Sequence, residues 1–349
     1  MGIPRLLTDF TLPSRRETDM AENDRLTTTR EILEPRIKAA GGWVNAHAHA
    51  DKAYTISPEM LHITQTCTLQ QKWDAIDQFK RNSTEADFYN RFCRFFESMI
   101  EQGCTACCSY VDIDPVVGDK AINGALRARE KFENDLIIKF TNQAIKGVIT
   151  PEARHWFDLA AELVDLIGGI PMRDEYDHGR AAEAFDIFLE KGRDLNKPVQ
   201  LHVDQFDRVT ETETEMLCYK TVEYGMQNRV SAIHCVSIAA HSATYRQRLY
   251  RLMKDAGVMV VCCPTAWLDT RRVETMSPGH NAIAPVEEMV EAGVIVSIGT
   301  DNVSDAVLPW SHGDMWTEFR MVATACHLNN FDELVKIATV NGRKVLGIA

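Results

Sequence analysis

The 349-residue sequence predicts an α/β fold, a (β/α)8 TIM-type barrel, and three observations carry that reading. Eight short apolar runs of buried-strand length recur along the chain. Longer segments with 3.6-residue apolar spacing separate them. Several of those segments close on a glycine, as at Gly103, Gly257 and Gly293, the residue expected just past a helix end. Strands bounded by helices imply parallel pairing, because parallel neighbours need crossover connections. Eight such units about 30 residues apart fit a closed barrel better than an open doubly wound sheet.

In order, residues 1–40 form a polar arm whose short helix, Arg30–Ala39, stops at Gly41-Gly42. The barrel domain is expected over 41–349. Its strands are expected at Trp43–Ala48, Thr105–Val111, Leu136–Phe140, Val164–Ile170, Val199–Val203, Val230–Ile233, Val258–Cys262 and Val294–Ile298. Helices are expected at Asp87–Gln102, Val116–Phe132, Gly179–Leu195, Glu211–Tyr224, Ile238–Lys254 and Pro285–Glu291, with a closing pair near His312–His327 and Phe331–Val345. Pro264–Pro285, with Trp267, Arg271, Arg272 and His280, lacks periodicity; after strand seven it is either a lid over the barrel mouth or an ordinary loop. Repeats, low-complexity stretches and Pro/Gly/Ser-rich linkers are absent, so one barrel domain with an arm is the simplest division.

Composition narrows the function classes. Hydrophobic residues make up 45% and charged residues 25%, as in ordinary globular proteins. A net charge of −12 repels phosphate backbones and anionic lipid, which argues against nucleic acid and membrane surfaces as partners. No apolar run reaches the roughly 18 residues of a membrane span, and the first forty residues lack a signal-peptide core. A cytoplasmic protein is the expectation. The ten cysteines fall mostly in apolar stretches; Cys104-x-x-Cys107 has no second pair to complete a zinc ribbon, so buried thiols packing as small hydrophobes are expected. The Thr210–Glu215 acidic run reads as a solvated helix start, and the Gly41-Gly42 and Gly168-Gly169 pairs lack dinucleotide spacing.

In a barrel, polar residues at strand C-termini share one mouth. Strand one ends in His47-Ala-His49-Ala-Asp51, strand five in His202-Val-Asp204-Gln205, strand six in His234 and strand eight in Thr300-Asp301-Asn302. Residues two apart on a strand share a face, so His47 and His49 can grip one ion. That pair alone is a weak signal. Its conjunction with imidazoles and a carboxylate at three other strand ends points to a metal site.

With Lys52 after Asp51, Pro309-Trp310 through Met315 and the closing Ala338–Gly347 segment, this set resembles the amidohydrolase superfamily, in its cytosine deaminase-like branch, and is also similar to the N-isopropylammelide hydrolases. The resemblance runs from about Gly41 to the C-terminus. It implies one divalent metal, Zn or Fe, held by His47, His49, His202 and Asp301, with Asp301 and His234 catalytic. Imidazole and carboxylate donors with an open position suit such an ion. The ion lowers the pKa of bound water from about 15.7 to about 7. Asp301 can take the water's proton while His234 stabilises charge at a tetrahedral centre. Substrate contacts are expected from Gln143, Gln205, Asp204, Asn302 and Trp310. Gln143 suits an –N–C(=O)– edge, or serves a purely structural hydrogen bond.

Three departures matter. Gln205 stands where the branch carries a proton-shuttling Glu, so Asp204 or Asp207 substitutes, or the reaction needs no shuttle. Strand two carries Ser109-Tyr110 where relatives often have a His. The accessory β-sandwich of relatives is expected to be absent. The resulting expectation is an enzyme hydrolysing a C–N bond of a small heterocyclic substrate, deamination of an amino-substituted ring leading. The alternatives are a cyclic-amide or N-alkyl-amine hydrolase and a catalytically silent ligand-binding relative. By analogy with the branch, a homo-oligomer is also expected.

Overall fold

The computed structural model describes residues 27–58, 60–61, 67–269 and 283–348. Eight parallel strands form the barrel: β1 (Trp43–Ala48), β2 (Cys104–Asp112), β3 (Ile137–Gln143), β4 (Ile167–Gly169), β5 (Val199–Val203), β6 (Val230–His234), β7 (Met259–Cys262) and β8 (Val296–Ile298). They run as β1-β2-β3 and β4-β5-β6-β7-β8. Parallel bridges Thr141–Leu166 and Ala48–Asp301 join the two arcs at both seams and close the ring. Among the described residues no strand lies outside these eight.

The interior is a packed core. Val345 and Leu346, at the end of the last helix, pack with Val44, Met259 and Val261 and plug the N-terminal end. Outside, Phe88, Phe92, Phe95, Phe96 and Met99 form the buried face of helix Glu85–Glu101, and Phe92 and Phe96 meet Phe140 of β3. Each such ring contributes about 1.5–3 kcal/mol on burial.

The helix pattern differs from expectation where prolines and caps decide. Pro151 and Pro171 open helices Pro151–Leu163 and Pro171–His178 at the first helical position, where a missing N–H costs nothing. Val164 caps the first of these, which shortens β4 to three residues. Helix Leu69–Asn82 was not expected; its Thr68–Gln71 capping box is a sequence-legible start. The segment after β7 opens with helix Pro264–Asp269. Residues 270–282, with the Arg271, Arg272 and His280 named for a lid, lie outside the described residues. The expected Phe331–Val345 helix breaks at Thr339 into Phe331–Ala338 and Val340–Val345.

Candidate metal centre and active-site cavity

Strand one and strand eight are locked together at the mouth. Asn45 Nδ2 donates to Thr300 Oγ1 (2.8 Å), and Thr300 N–H donates to Asn45 Oδ1 (3.2 Å). Asp301 N–H donates to His47 O (3.0 Å), and His49 N–H to Asp301 O (3.3 Å). The strands approach so closely that a Cβ at Gly299 would lie 2.6 Å from His47 O, so only glycine fits there. Asp204, His234, Cys235 and Asp301, all at or just past strand ends, adopt positive φ. For non-glycine residues that conformation is costly and concentrates at functional sites.

These constraints bring His47, His49, His202, His234 and Asp301 together. One nitrogen from each of His47, His49 and His202 lies within 4.8 Å of the others; His47, Cys263 and Asp301 form a second such set. Asp301 Oδ1 lies 3.3 Å from His49 Nε2 and 3.7 Å from His47 Nε2, while Oδ2 lies 3.7 Å from His234 Nε2. The Asn302 N–H donates to Asp301 Oδ1 (2.8 Å) and fixes the carboxylate. His202 Nδ1–H donates to Gly169 O (3.3 Å), which leaves Nε2 as the lone-pair donor. Tyr110 packs its ring 4.7–5.2 Å from those of His47, His202 and His49, and its hydroxyl donates to Gln200 O (3.0 Å). Glycine at 168 makes room for it, since a Cβ there would meet Tyr110 at 2.8 Å.

Burial keeps the imidazoles neutral. It presses His47 and His202 down to about 3, with the Lys52 cation adding to the effect at His47 and the neighbouring His47 at His202. His49 and His234 lie well below the ordinary range for the same first cause. A neutral ring is the ligating form. Neither nitrogen of His47, nor Nδ1 of His49, has a hydrogen-bond partner although both side chains are buried. Unpaired buried nitrogens are costly unless something binds them, so this donor set fits a divalent cation.

A cavity of about 50 Å³ opens beside the set, lined by His49, Lys52, Gln143, His202, Gln205, His234, Asp301 and Asn302, with Trp73, Ile76, Ile145 and Ile170 as its apolar wall. Gln143 ends β3, and its buried Oε1 has no partner. Asn302 Nδ2 donates to Asp305 Oδ2 (2.5 Å). Gln205 sits on the wall, Nε2 4.0 Å from Met172 S.

Two expected substrate contacts are placed elsewhere. Asp204 is buried, but its carboxylate accepts from Glu213 N–H (2.8 Å) and Thr214 N–H (3.1 Å), at the start of helix Glu213–Glu223. The helix's unpaired amides claim it, and it does not line the cavity. Trp310 is 64% exposed on the loop after β8 and is also outside the lining. The acidic run is likewise not simply solvated: Glu213 accepts from Asp204 N–H and Glu211 from Phe206 N–H (both 2.9 Å).

Sequence reasoning used Lys52 only as a motif residue, without a role as the cavity's cation, and missed the roof. Lys52 is buried and donates to Asp112 (2.9 Å), with Asp51 at 3.2 Å. Burial pulls its pKa down, but Asp112 and Asp51 outweigh that and hold it above the usual range. Asp112 in turn accepts from the buried Lys80 (3.0 Å), which also binds Asp114. The roof is helix Leu69–Asn82, whose Trp73 and Ile76 at helical spacing were the available signal.

A (β/α)8 barrel with a buried, imidazole-rich candidate metal site at its C-terminal mouth defines the class. Residues 39–349 match the amidohydrolase family, and the chain belongs to it, a hydrolase acting on C–N bonds other than peptide bonds. The chain is 53% identical over 261 residues to an uncharacterized protein of Haemophilus influenzae, spanning 75% of this chain and 95% of that one. It is 24% identical over 325 residues to N-isopropylammelide isopropyl amidohydrolase of a Pseudomonas species, 88% of this chain and 74% of the relative. Its fold resembles that of 5-methylcytosine deaminase from Klebsiella pneumoniae liganded with phosphonocytosine, with a TM-score of 0.81 at 21% identity, covering 88% and 75% of the two chains. No described helix is long and apolar enough to cross a membrane.

Proposed function

We propose that the chain hydrolyses an exocyclic C–N bond of a small, oxo-bearing nitrogen heterocycle, releasing ammonia or an alkylamine. The observation that carries this is the convergence of His47, His49 and His202 with Asp301 and His234, beside a cavity into which the unpaired amide oxygen of Gln143 also faces. His47, His49, His202 and Asp301 would hold the divalent cation, zinc or iron. When bound, such a cation acidifies water toward a pKa of about 7 and so supplies a nucleophile at neutral pH.

The chain's own residues do the rest. Gln143 presents acceptor and donor to an –N–C(=O)– edge, and the Lys52 cation faces ring oxygens. His234 stabilises the charge that passes to the substrate's heteroatoms as the tetrahedral centre forms. As the water's oxygen adds to that carbon, Asp301 takes one proton at Oδ2 and returns it to the departing nitrogen. The C–N bond breaks toward nitrogen, and the remaining proton stays on the oxo-heterocycle. Trp73 and Ile76 keep bulk water from the cavity.

The test is a scan of aminopyrimidines, alkylaminotriazines and lactams with zinc- and iron-loaded protein. Amine release without ring opening is expected, and His47→Ala is expected to abolish both metal binding and turnover. Gln205 favours a second reading, opening of a cyclic amide, because no acid stands there to serve an ammonia leaving group. A ring-opened acid as the product would establish it and overturn the first. Protein purified without chelator and holding far less than one equivalent of metal would make the chain a silent ligand-binding relative.

A further inference from the structure

Cys263 was expected to be one more inert buried thiol, and its position says otherwise. It follows β7, whose Met259 and Val261 face the barrel interior, and it packs with that interior group. Its sulfur, a nitrogen of His47 and an oxygen of Asp301 all lie within 4.8 Å of one another. Two overlapping donor sets therefore share His47: one of three imidazoles, the other of imidazole, sulfur and carboxylate. His47 is fully buried with both nitrogens unpartnered, so it has a coordination site to offer either set.

We propose that Cys263 supplies a thiolate ligand to a thiophilic divalent cation at this centre, together with His47 and Asp301. The proposal rests on the metal centre described above and adds a ligand to it. A coordinating cation deprotonates a thiol outright, and sulfur selects softer ions over magnesium or manganese. The centre then discriminates among metals by whether Cys263 joins.

Cobalt(II)-loaded protein tests this. A near-ultraviolet sulfur-to-cobalt charge-transfer band is expected, saturating at one cobalt per chain, lost in Cys263→Ser and kept in Cys235→Ser. Cadmium-113 resonance of the unaltered protein, which needs no variant to fold, is expected in the sulfur-ligated range. Cys263→Ser is expected to weaken cadmium by about tenfold or more, since losing even an outer partner of a ligand costs that much, while manganese affinity stays put. Cobalt that binds with visible d–d absorption but no charge-transfer band overturns the Cys263 assignment and leaves the centre intact. A band that survives in Cys263→Ser also overturns it. A chain that binds no cobalt overturns both.

Discussion

Replacing Lys80 with Met probes how the cavity's cation is held. Lys80 is 1% exposed, and its ammonium sits between Asp112 (3.0 Å) and Asp114, with Asp77 at 3.6 Å. Met keeps the stem's packing and removes the charge. Asp112 keeps Lys52, but Asp114 is left buried with only the Val116 and Val117 amides on its other oxygen. Removing one partner of a buried ion pair costs about 3–5 kcal/mol. With an unfolding entropy of about 2.1 cal/mol/K per residue, a chain of this length gives about 0.7 kcal/mol/K, so the melting temperature should fall by about 4–7 °C. Calorimetry on Lys80→Met reads it, and adding Asp114→Asn should restore part of the loss because the stranded charge is then gone. Burial raises the Asp112 pKa, but Lys52 and Lys80 outweigh it and hold the group below its ordinary range. A carboxylate depressed on folding stabilises above its unfolded pKa and loses that contribution as pH falls toward the folded value. The variant should therefore lose less stability on acidification than the unaltered protein. A melting shift under about 1 °C would refute the reasoning, since it would mean the buried charges are not dependent on one another.

Three further outcomes follow from the geometry. Asp204→Ala should cost about 1–2 kcal/mol, read by thermal melting, because Glu213 and Thr214 amides lose their acceptor. Turnover should change little, and a loss of a hundredfold in kcat would return Asp204 to the cavity. Glu318 is buried and held up to about 8 by desolvation, against hydrogen bonds from Thr265. Its folded pKa lies above its unfolded one, so in chelator-treated protein stability should decline from about pH 5 to 8, and Glu318→Gln should flatten that slope. Gln143→Ala should raise KM far more than it lowers kcat if the amide reads ground-state ring edges, whereas an unchanged KM would assign it a structural role.

The barrel was legible because strand and helix periods alternate cleanly in this sequence. The boundaries that moved did so where one residue type changes meaning with context: proline breaks a helix interior yet suits its first position, and Pro151 and Pro171 begin helices that the periodicity reading left out. The histidine and aspartate positions were legible because strand ends in a barrel must converge, whatever lies between them in sequence. Asp204 shows the limit of that rule. It follows a strand like the others, but positive φ turns its carboxylate toward the amides of the next helix. Nothing in the local sequence separates it from Asp301, which shares the same backbone region. The role of Lys52 was hidden for a different reason, since its three carboxylate neighbours come from two strand ends and a loop that only the closed ring brings together.

Those two aspartates also show how one strained backbone conformation serves opposite purposes. Asp301 is bracketed by hydrogen bonds to β1 on both sides, so its strain is held by the seam that closes the barrel. The same seam carries His47 and His49, whose spacing to Asp301 is therefore set by main-chain pairing and not by side-chain packing. A donor set fixed in that way is preorganised: binding a cation requires little rearrangement of the ligands. Gly299 is what permits it, because any Cβ would push β8 off His47. Closure of the fold and assembly of the candidate centre are thus the same physical event.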